Sequence, residues 1–326
     1  MTEGIVIPGQ IIAERILNQN LKGQIVSHAY LFEGPSGTGK EETALHFACA
    51  VNGEENHQKE SRMALIKKIK SGVHPDMRLF HAEEASIRIG QMRELRREFQ
   101  IRPKEKQWKI FVISDAEKMT MAAANSLLKV LEEPPRFGMI ILVTQHLSQI
   151  LPTIRSRCQI VPFRPQTQEF IRKSLIDNYQ KSDEEALLIS ALSEGLPAKA
   201  AKMAEDASFE QQREEVFLDF EKVKSGGKKE IVFLIREYEK KKDIHDKMRW
   251  WMSIFRDILI WKKTQRKDLL LHPDKALVYE ECLLWSDYHI LGFLGSLDEA
   301  DKKLQNNVNL GIVLQNTFVC LESIVS

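Results

Sequence analysis

Short apolar runs and helix-period stretches alternate through the first half of the chain. Runs rich in β-branched or aromatic residues occupy 29–32, 77–80, 108–113, 139–143 and 159–163, each of strand length. Between them apolar positions recur at helical spacing over about 41–51, 90–100, 122–132 and 148–154. That alternation predicts βαβ units, hence a mostly parallel sheet with helices on both faces. Pro134-Pro135 ends the third helix, because a proline disfavours helical backbone in the residue before it. The pattern reads as an α/β domain over 1–165. Beyond Phe163 the strand signals fade, and Arg164-Pro165-Gln166-Thr167 reads as a linker. Leucines and alanines at helical spacing fill Asp183–Ser193, closed by Gly195, and Pro197 starts another short helix, where its missing N–H costs nothing. Ser225-Gly226-Gly227 interrupts a long charged helical region, and Trp250, Trp251, Phe255, Leu259 and Trp261 fall at helical spacing. These patterns predict a small helical domain over 166–207 and an all-helical domain over 208–326.

Composition narrows the class. With 43% hydrophobic and 29% charged residues in 326, this is an ordinary globular chain rather than a disordered one. Forty-seven Lys and Arg against 46 Asp and Glu leave a formal charge of +1, so any nucleic-acid surface must be local. No run approaches the roughly 18 apolar residues of a membrane span, and the first ten residues lack the apolar core of a secretory signal. Cys49, Cys158, Cys282 and Cys320 lie far apart without CxxC spacing. That disfavours a disulfide framework or a four-cysteine zinc site, and the expected compartment is the cytoplasm.

The chemistry begins at Gly34-Pro-Ser-Gly37-Thr-Gly39-Lys40, between a predicted strand and a predicted helix. This is the setting of a phosphate-binding P-loop: glycines let backbone N–H groups wrap phosphate oxygens, and Lys40 offers a positive charge. The motif ordinarily ends in Ser or Thr, whose hydroxyl ligates Mg²⁺; this chain has Glu41. The next apolar strand should end in an Asp for the metal and a Glu for the attacking water. Here Phe111-Val-Ile113 leads into Ser114-Asp115-Ala116-Glu117. Read in place, Ser114 replaces the Asp and Asp115 the Glu; a slip of one residue restores Asp115 as metal ligand but leaves Ala116 as base. Thr144, ending the 139–143 strand, offers either a hydroxyl to phosphate or only a polar strand end.

Asn125-Ser-Leu-Leu-Lys129-Val-Leu-Glu-Glu-Pro-Pro135, Ser156-Arg157-Cys158, His74-Pro75-Asp76 and Ile87–Arg93 together resemble the clamp-loader branch of the AAA+ ATPases. The resemblance is specific from Gly9-Gln10 to Phe163 and weaker to Asn306–Leu310. It implies a P-loop AAA+ parallel sheet, a small helical lid and a helical C-terminal collar. It also implies a subunit of the bacterial DNA polymerase III clamp loader. Such a subunit would bind tau/gamma and delta and act on the sliding clamp and primed DNA through the assembled complex. Within that family Arg157 implies an arginine finger acting in trans, since a planar, permanently charged fork suits the charge on a transferring phosphoryl group; Arg155, two residues earlier, is its neighbour in sequence. Relatives often carry a four-cysteine zinc module, but Cys49 stands alone among scattered His57, His74 and His81, so no metal is expected. Active relatives also carry a lid arginine where this chain has Ala198 beside Lys199. The expectation is a non-catalytic subunit with a degenerate cis site (Gly34, Gly37, Gly39, Lys40, Asp115, Thr144) that needs no cofactor and binds ATP weakly at most. The other reading is an ATPase hydrolysing in cis through Lys40, Glu41 and Asp115. From Lys222 to Lys267, 15 Lys and Arg face 6 Asp and Glu, read as the solvated face of amphipathic helices rather than a DNA surface, with the tryptophans as core.

Overall fold

The computed structural model describes residues 5–23, 26–53, 59–83, 86–240, 244–305 and 308–325. They form two compact units, Met1–Thr167 with Leu196–Ala198, and Gln168–Gly195 with Lys199–Ser326.

The first unit runs α1 (Ile11–Gly23), β1 (Ala29–Glu33), α2 (Lys40–Val51), α3 (Lys59–Lys70), β2 (Met77–Phe80), α4 (Ile89–Phe99), β3 (Lys109–Ile113), α5 (Met121–Glu132), β4 (Gly138–Thr144), α6 (Pro152–Arg155) and β5 (Gln159–Pro162). Among the described residues five strands form one sheet in the order β2-β3-β4-β1-β5, all parallel, with Ala29 opposite Ile140 and Lys109 opposite Gly138. The strands read as unbroken apolar runs because both faces are covered. Alternate residues divide between the faces: Tyr30, Phe32, Ile110, Val112 and Ile141 pack with Leu17, Leu45 and Phe47 on one side. Leu31, Phe111, Ile113, Ile140 and Leu142 pack with Met92, Leu95 and Leu127 on the other.

Two predicted elements differ. Residues 148–154 are a 3₁₀ turn (Leu147–Gln149) and the four-residue α6, because Pro152 excludes helical backbone from the residue before it and starts a new helix instead. Trp108 stays outside β3: its N–H and carbonyl are taken by the amide side chain of Asn52, at 2.9 and 3.2 Å. The linker is anchored as well. Gln10 accepts from the Arg164 N–H at 3.0 Å and donates to its carbonyl at 2.8 Å.

The second unit begins with α7 (Gln168–Tyr179), α8 (Asp183–Leu192) and α9 (Pro197–Glu205), whose first two residues belong to the first unit, followed by α10 (Phe209–Gly226), α11 (Lys228–Tyr238), α12 (Ile244–Thr264), α13 (Ala276–Glu280), α14 (Asp287–Gln305), α15 (Leu310–Phe318) and α16 (Glu322–Val325). Where the sequence pattern separates 166–207, helices α7–α9 keep a small core of Ile171, Leu175, Ala186, Ile189 and Ala200. Leu188 and Leu192 nevertheless join the larger helical core. Gly227 makes the α10–α11 break with φ 58° and ψ −142°, backbone that only glycine adopts cheaply. The tryptophans of the basic stretch, Trp250, Trp251 and Trp261, are buried in that core. Several of its cations are paired: Lys247 with Glu215, Lys262 and Lys263 with Asp287, Lys224 with Glu281.

Candidate functional site

In a parallel sheet every segment that follows a strand emerges at the same end, so the loops after β1, β3 and β4 share one edge. The first is the glycine loop. Gly34 has φ +146°, and a Cβ there would sit 2.2 Å from the Phe163 carbonyl oxygen, so the loop leaves β1 by a route closed to other residues. Gly37 and Gly39 have φ of 79° and 83°, turning the chain into α2. Lys40 is 5% exposed, and its Nζ donates to the carbonyls of Gly34 and Pro35, each at 2.6 Å. Burial pulls its pKa down to about 8, against the carboxylates of Glu117, Asp115 and Glu33. Thr144 ends β4 fully buried; its carbonyl accepts the Gly34 N–H at 3.3 Å and its hydroxyl accepts the His146 N–H at 3.2 Å.

Two of the residues that depart from an ATPase, Glu41 and Ser114, meet each other. Ser114, directly after β3, donates its hydroxyl to the Glu41 carboxylate at the start of α2. Lys70 and His81 stand 3.9 and 4.0 Å from the same carboxylate. Asp115 has left-handed backbone, φ 51°, and its carboxylate pairs with Lys118 at 3.0 Å. Ala198 lies against the loop: its N–H donates to the Gly37 carbonyl at 3.2 Å. The neighbouring Lys199 pairs with Glu194 at 2.7 Å.

Arg157 stands apart from this edge. It precedes β5, whereas the glycine loop follows β1, and in a parallel sheet those are opposite ends. Its side chain is about one-third exposed. One terminal nitrogen donates to Glu132 at 3.0 Å and the other to the Thr153 carbonyl at 2.9 Å, while the Arg155 Nε is buried without a partner. Two carboxylates at these places are not singled out by sequence reasoning. Glu132 lies inside the Leu-Glu-Glu-Pro-Pro run that marks the end of α5, and nothing in its spacing links it to Arg157. Glu117 accepts the Gln145 N–H at 3.3 Å and its charge acts on Lys40.

The scattered histidines and Cys49 have local surroundings of their own. Cys49 is buried in α2, His74 Nδ1 accepts the N–H groups of Asp76 and Met77 at 3.0 Å, and His57 lies outside the described residues. Among the described residues no three His, Cys, Asp or Glu side chains gather as ligands for a metal. Asp76 is fully buried and accepts the N–H groups of Lys104, Glu105 and Lys106 at 2.7, 2.7 and 3.0 Å, fastening the loop that leads into β3. Among them, too, no helix is long and apolar enough to cross a membrane.

The family model described as DNA polymerase III, delta subunit, matches residues 9–167. The DNA polymerase III subunit delta' of Bacillus subtilis is 31% identical over 317 residues, covering 94% of this chain and 94% of that protein. The chain belongs to the DNA polymerase III delta-prime family. The tau subunit of B. subtilis is 34% identical over 188 residues, 56% of this chain but 33% of that longer protein. A solved Thermotoga maritima structure, described as a DNA polymerase III gamma subunit-related protein, gives a TM-score of 0.48 at 18% identity over 95% of this chain and 99% of its own. Family membership makes this a clamp-loader subunit of DNA polymerase III related to both delta-prime and tau/gamma.

Proposed function

We propose that the chain is a cytoplasmic clamp-loader subunit that does not hydrolyse ATP itself, assembles with tau/gamma and delta, and completes a neighbour's ATP site with Arg157 while the complex places the sliding clamp on primed DNA. The observation that carries this reading is the division between the two ends of the sheet. At the glycine-loop end the two positions that hold metal in an active loop are occupied by Glu41 and Ser114, bonded to each other, and Ala198 lies against the loop. At the other end Arg157 is accessible, held by one exposed carboxylate, one carbonyl and, at 3.5 Å, the Ser156 hydroxyl. Parts of a phosphoryl-transfer site act as a unit, so losing metal anchor, base and lid cation together removes turnover rather than slowing it slightly.

The test is a reconstituted complex carrying wild-type, Arg157→Ala or Arg157→Lys subunit, assayed for clamp- and DNA-stimulated ATP hydrolysis, with gel filtration to confirm assembly. Arg157→Ala should assemble normally, because a surface arginine contributes little to stability. An arginine finger is worth about 10³–10⁵ in rate at the site it serves; the whole-complex loss is smaller where other sites keep their own neighbours. Arg157→Lys should rescue poorly, since a point charge lacks the planar fork. An Arg157→Ala complex with wild-type hydrolysis and loading would remove the finger. Turnover by the isolated chain that Lys40→Ala abolishes would establish the cis ATPase instead.

A further inference from the structure

Glu41 and Ser114 are 73 residues apart, yet each departs from the pattern of a metal-dependent phosphate loop, and each is the other's partner. An active loop carries a hydroxyl at the start of the helix and a carboxylate at the end of the strand, and both hold the divalent cation. Here the two chemistries have changed places. The carboxylate is on α2 and the hydroxyl follows β3, so the same two positions join directly. We infer that the two substitutions are one coupled exchange: the Ser114–Glu41 hydrogen bond shuts the divalent-cation position and ties α2 to β3 without a metal.

The surroundings fit this and do not fit Mg²⁺. A hard cation needs several oxygen ligands and keeps its waters. The Glu41 carboxylate instead faces the Lys70 ammonium at 3.9 Å, the His81 ring at 4.0 Å and the Ser114 hydroxyl. Asp115, the carboxylate next to Ser114 in sequence, is turned to Lys118. Lys70 closes α3 and His81 follows β2, so three separate segments converge on the one carboxylate of α2, and Ser114 supplies it a donor and Lys70 a positive charge. Lys70 already offers the positive charge that a cation brings to an ordinary site, and a second cation there would be repelled. The α2–β3 connection is thereby permanent, and the position of the glycine loop no longer depends on metal.

The inference rests on the reading that the cis site does not turn over ATP, but its test reads stability and metal response rather than hydrolysis, so the two fail separately. Thermal unfolding of the full chain is followed for wild type, Glu41→Thr, Ser114→Asp and the double variant, each in EDTA and in excess Mg²⁺ with no nucleotide present. Ser114→Asp sets two carboxylates against each other, and its midpoint should fall in EDTA by on the order of 5 °C. Mg²⁺ should restore it, because the facing pair now offers oxygen ligands on both sides and two negative charges against the single positive charge of Lys70. Glu41→Thr in the same chain should recover most of the EDTA loss, giving a double variant more stable than the sum of the singles allows. Wild type should unfold at the same temperature with and without Mg²⁺. Additive losses in the double variant would overturn the coupling. A wild-type midpoint raised by Mg²⁺ as much as that of Ser114→Asp would overturn the closure. Should Ser114→Asp fail to fold, the wild-type comparison together with Ser114→Ala decides: Ser114→Ala removes only the donor, and it should lower the midpoint without creating any Mg²⁺ response.

Discussion

The α/β unit and the helical unit bury polar side chains in different places. In the first, Lys40, His74, Asp76, Ser114 and Thr144 are buried at the ends of strands and helices, where main-chain groups run out of ladder partners. In the second, Arg213, Lys247, Ser253, Asp257 and His272 are buried inside an aromatic core. There Arg213 donates to His272 Nδ1 at 3.1 Å across 59 residues of chain, the Ser253 hydroxyl meets His272 Nε2 at 2.9 Å, and Asp257 accepts the N–H groups of Leu271 and His272. The rings of Phe217 and Trp250 lie 5.0 and 5.9 Å from that imidazole. Polar burial therefore shapes loops in one unit and pins helices to one another in the other. Satisfied buried networks specify one packing and tolerate little change.

If the helical unit depends on its aromatic centre, the largest loss should come from Trp251→Ala. Trp251 is fully buried, with Phe318, Phe220, Phe255 and Phe293 at centroid distances of 5.4, 5.9, 6.1 and 6.2 Å, and its indole N–H donates to the Tyr238 hydroxyl at 3.1 Å. Truncation removes the transfer energy and leaves a cavity, together worth about 3–5 kcal/mol. Urea unfolding of the variant measures it. A cost near that of an ordinary surface substitution would mean the polar network, not the aromatic packing, holds this unit.

Asp76→Ala is the corresponding break in the α/β unit. It strips the acceptor from the N–H groups of Lys104, Glu105 and Lys106, and one unsatisfied buried group costs about 1–3 kcal/mol. Water reaching the loop replaces part of the loss, so about 2–3 kcal/mol is expected. Burial alone would raise the Asp76 pKa, but the three N–H donors and Lys109 outweigh it and hold the carboxyl below its ordinary value. The stabilisation is therefore present above the unfolded-state pKa and lost as pH falls through the folded one. Acid titration of wild type and variant by circular dichroism should show two curves converging at low pH; a constant gap down to the acid transition would mean that the carboxylate's charge is irrelevant there.

This division also decides what was legible in the sequence. The strands show as apolar runs because they are buried on both faces, and the phosphate loop shows because its glycines sit at fixed short spacing. Their departures, Glu41 and Ser114, are visible singly; their bond is not, since it joins the start of one helix to the end of a strand far along the chain. The same holds for Arg157 and Glu132. The helical unit shows its tryptophan spacing and its Gly227 break, but Arg213, Asp257 and His272 look like any polar residues of an amphipathic surface. Only the fold reveals that His272 is enclosed.

The smallest effect, and the one that discriminates best between the units, is the pH response of His272. It is fully buried; burial first, then the charges of Arg213, Lys275 and Arg256, hold its pKa well below the ordinary imidazole value. Accepting from Arg213 at Nδ1 leaves Nε2 as the protonated nitrogen facing Ser253, so the folded ring is neutral. Between its folded and unfolded pKa values the unfolded state binds one more proton, and stability must fall as pH falls below about 6.5, by at most about 1.4 kcal/mol per pH unit. Asp257 works the other way. Burial lifts its pKa to about 6 despite its backbone donors and Arg256, so the folded state holds the extra proton from there down to the unfolded value of about 3.9, and stability rises as pH falls through that window. The two slopes oppose each other below pH 6 and leave only a shallow net loss, of about 1 kcal/mol or less, between 6.5 and 6. His272→Gln, which keeps a polar side chain between Arg213 and Ser253, removes one slope and not the other. Its unfolding free energy should therefore increase on acidification from pH 6 to 4, where wild type stays nearly level. Denaturant titrations followed by tryptophan fluorescence at several pH values read this directly. A variant as flat as wild type would place the compensating charge on some other group, and a wild type that loses stability steeply below pH 6 would mean that Asp257 is ionised in the folded core.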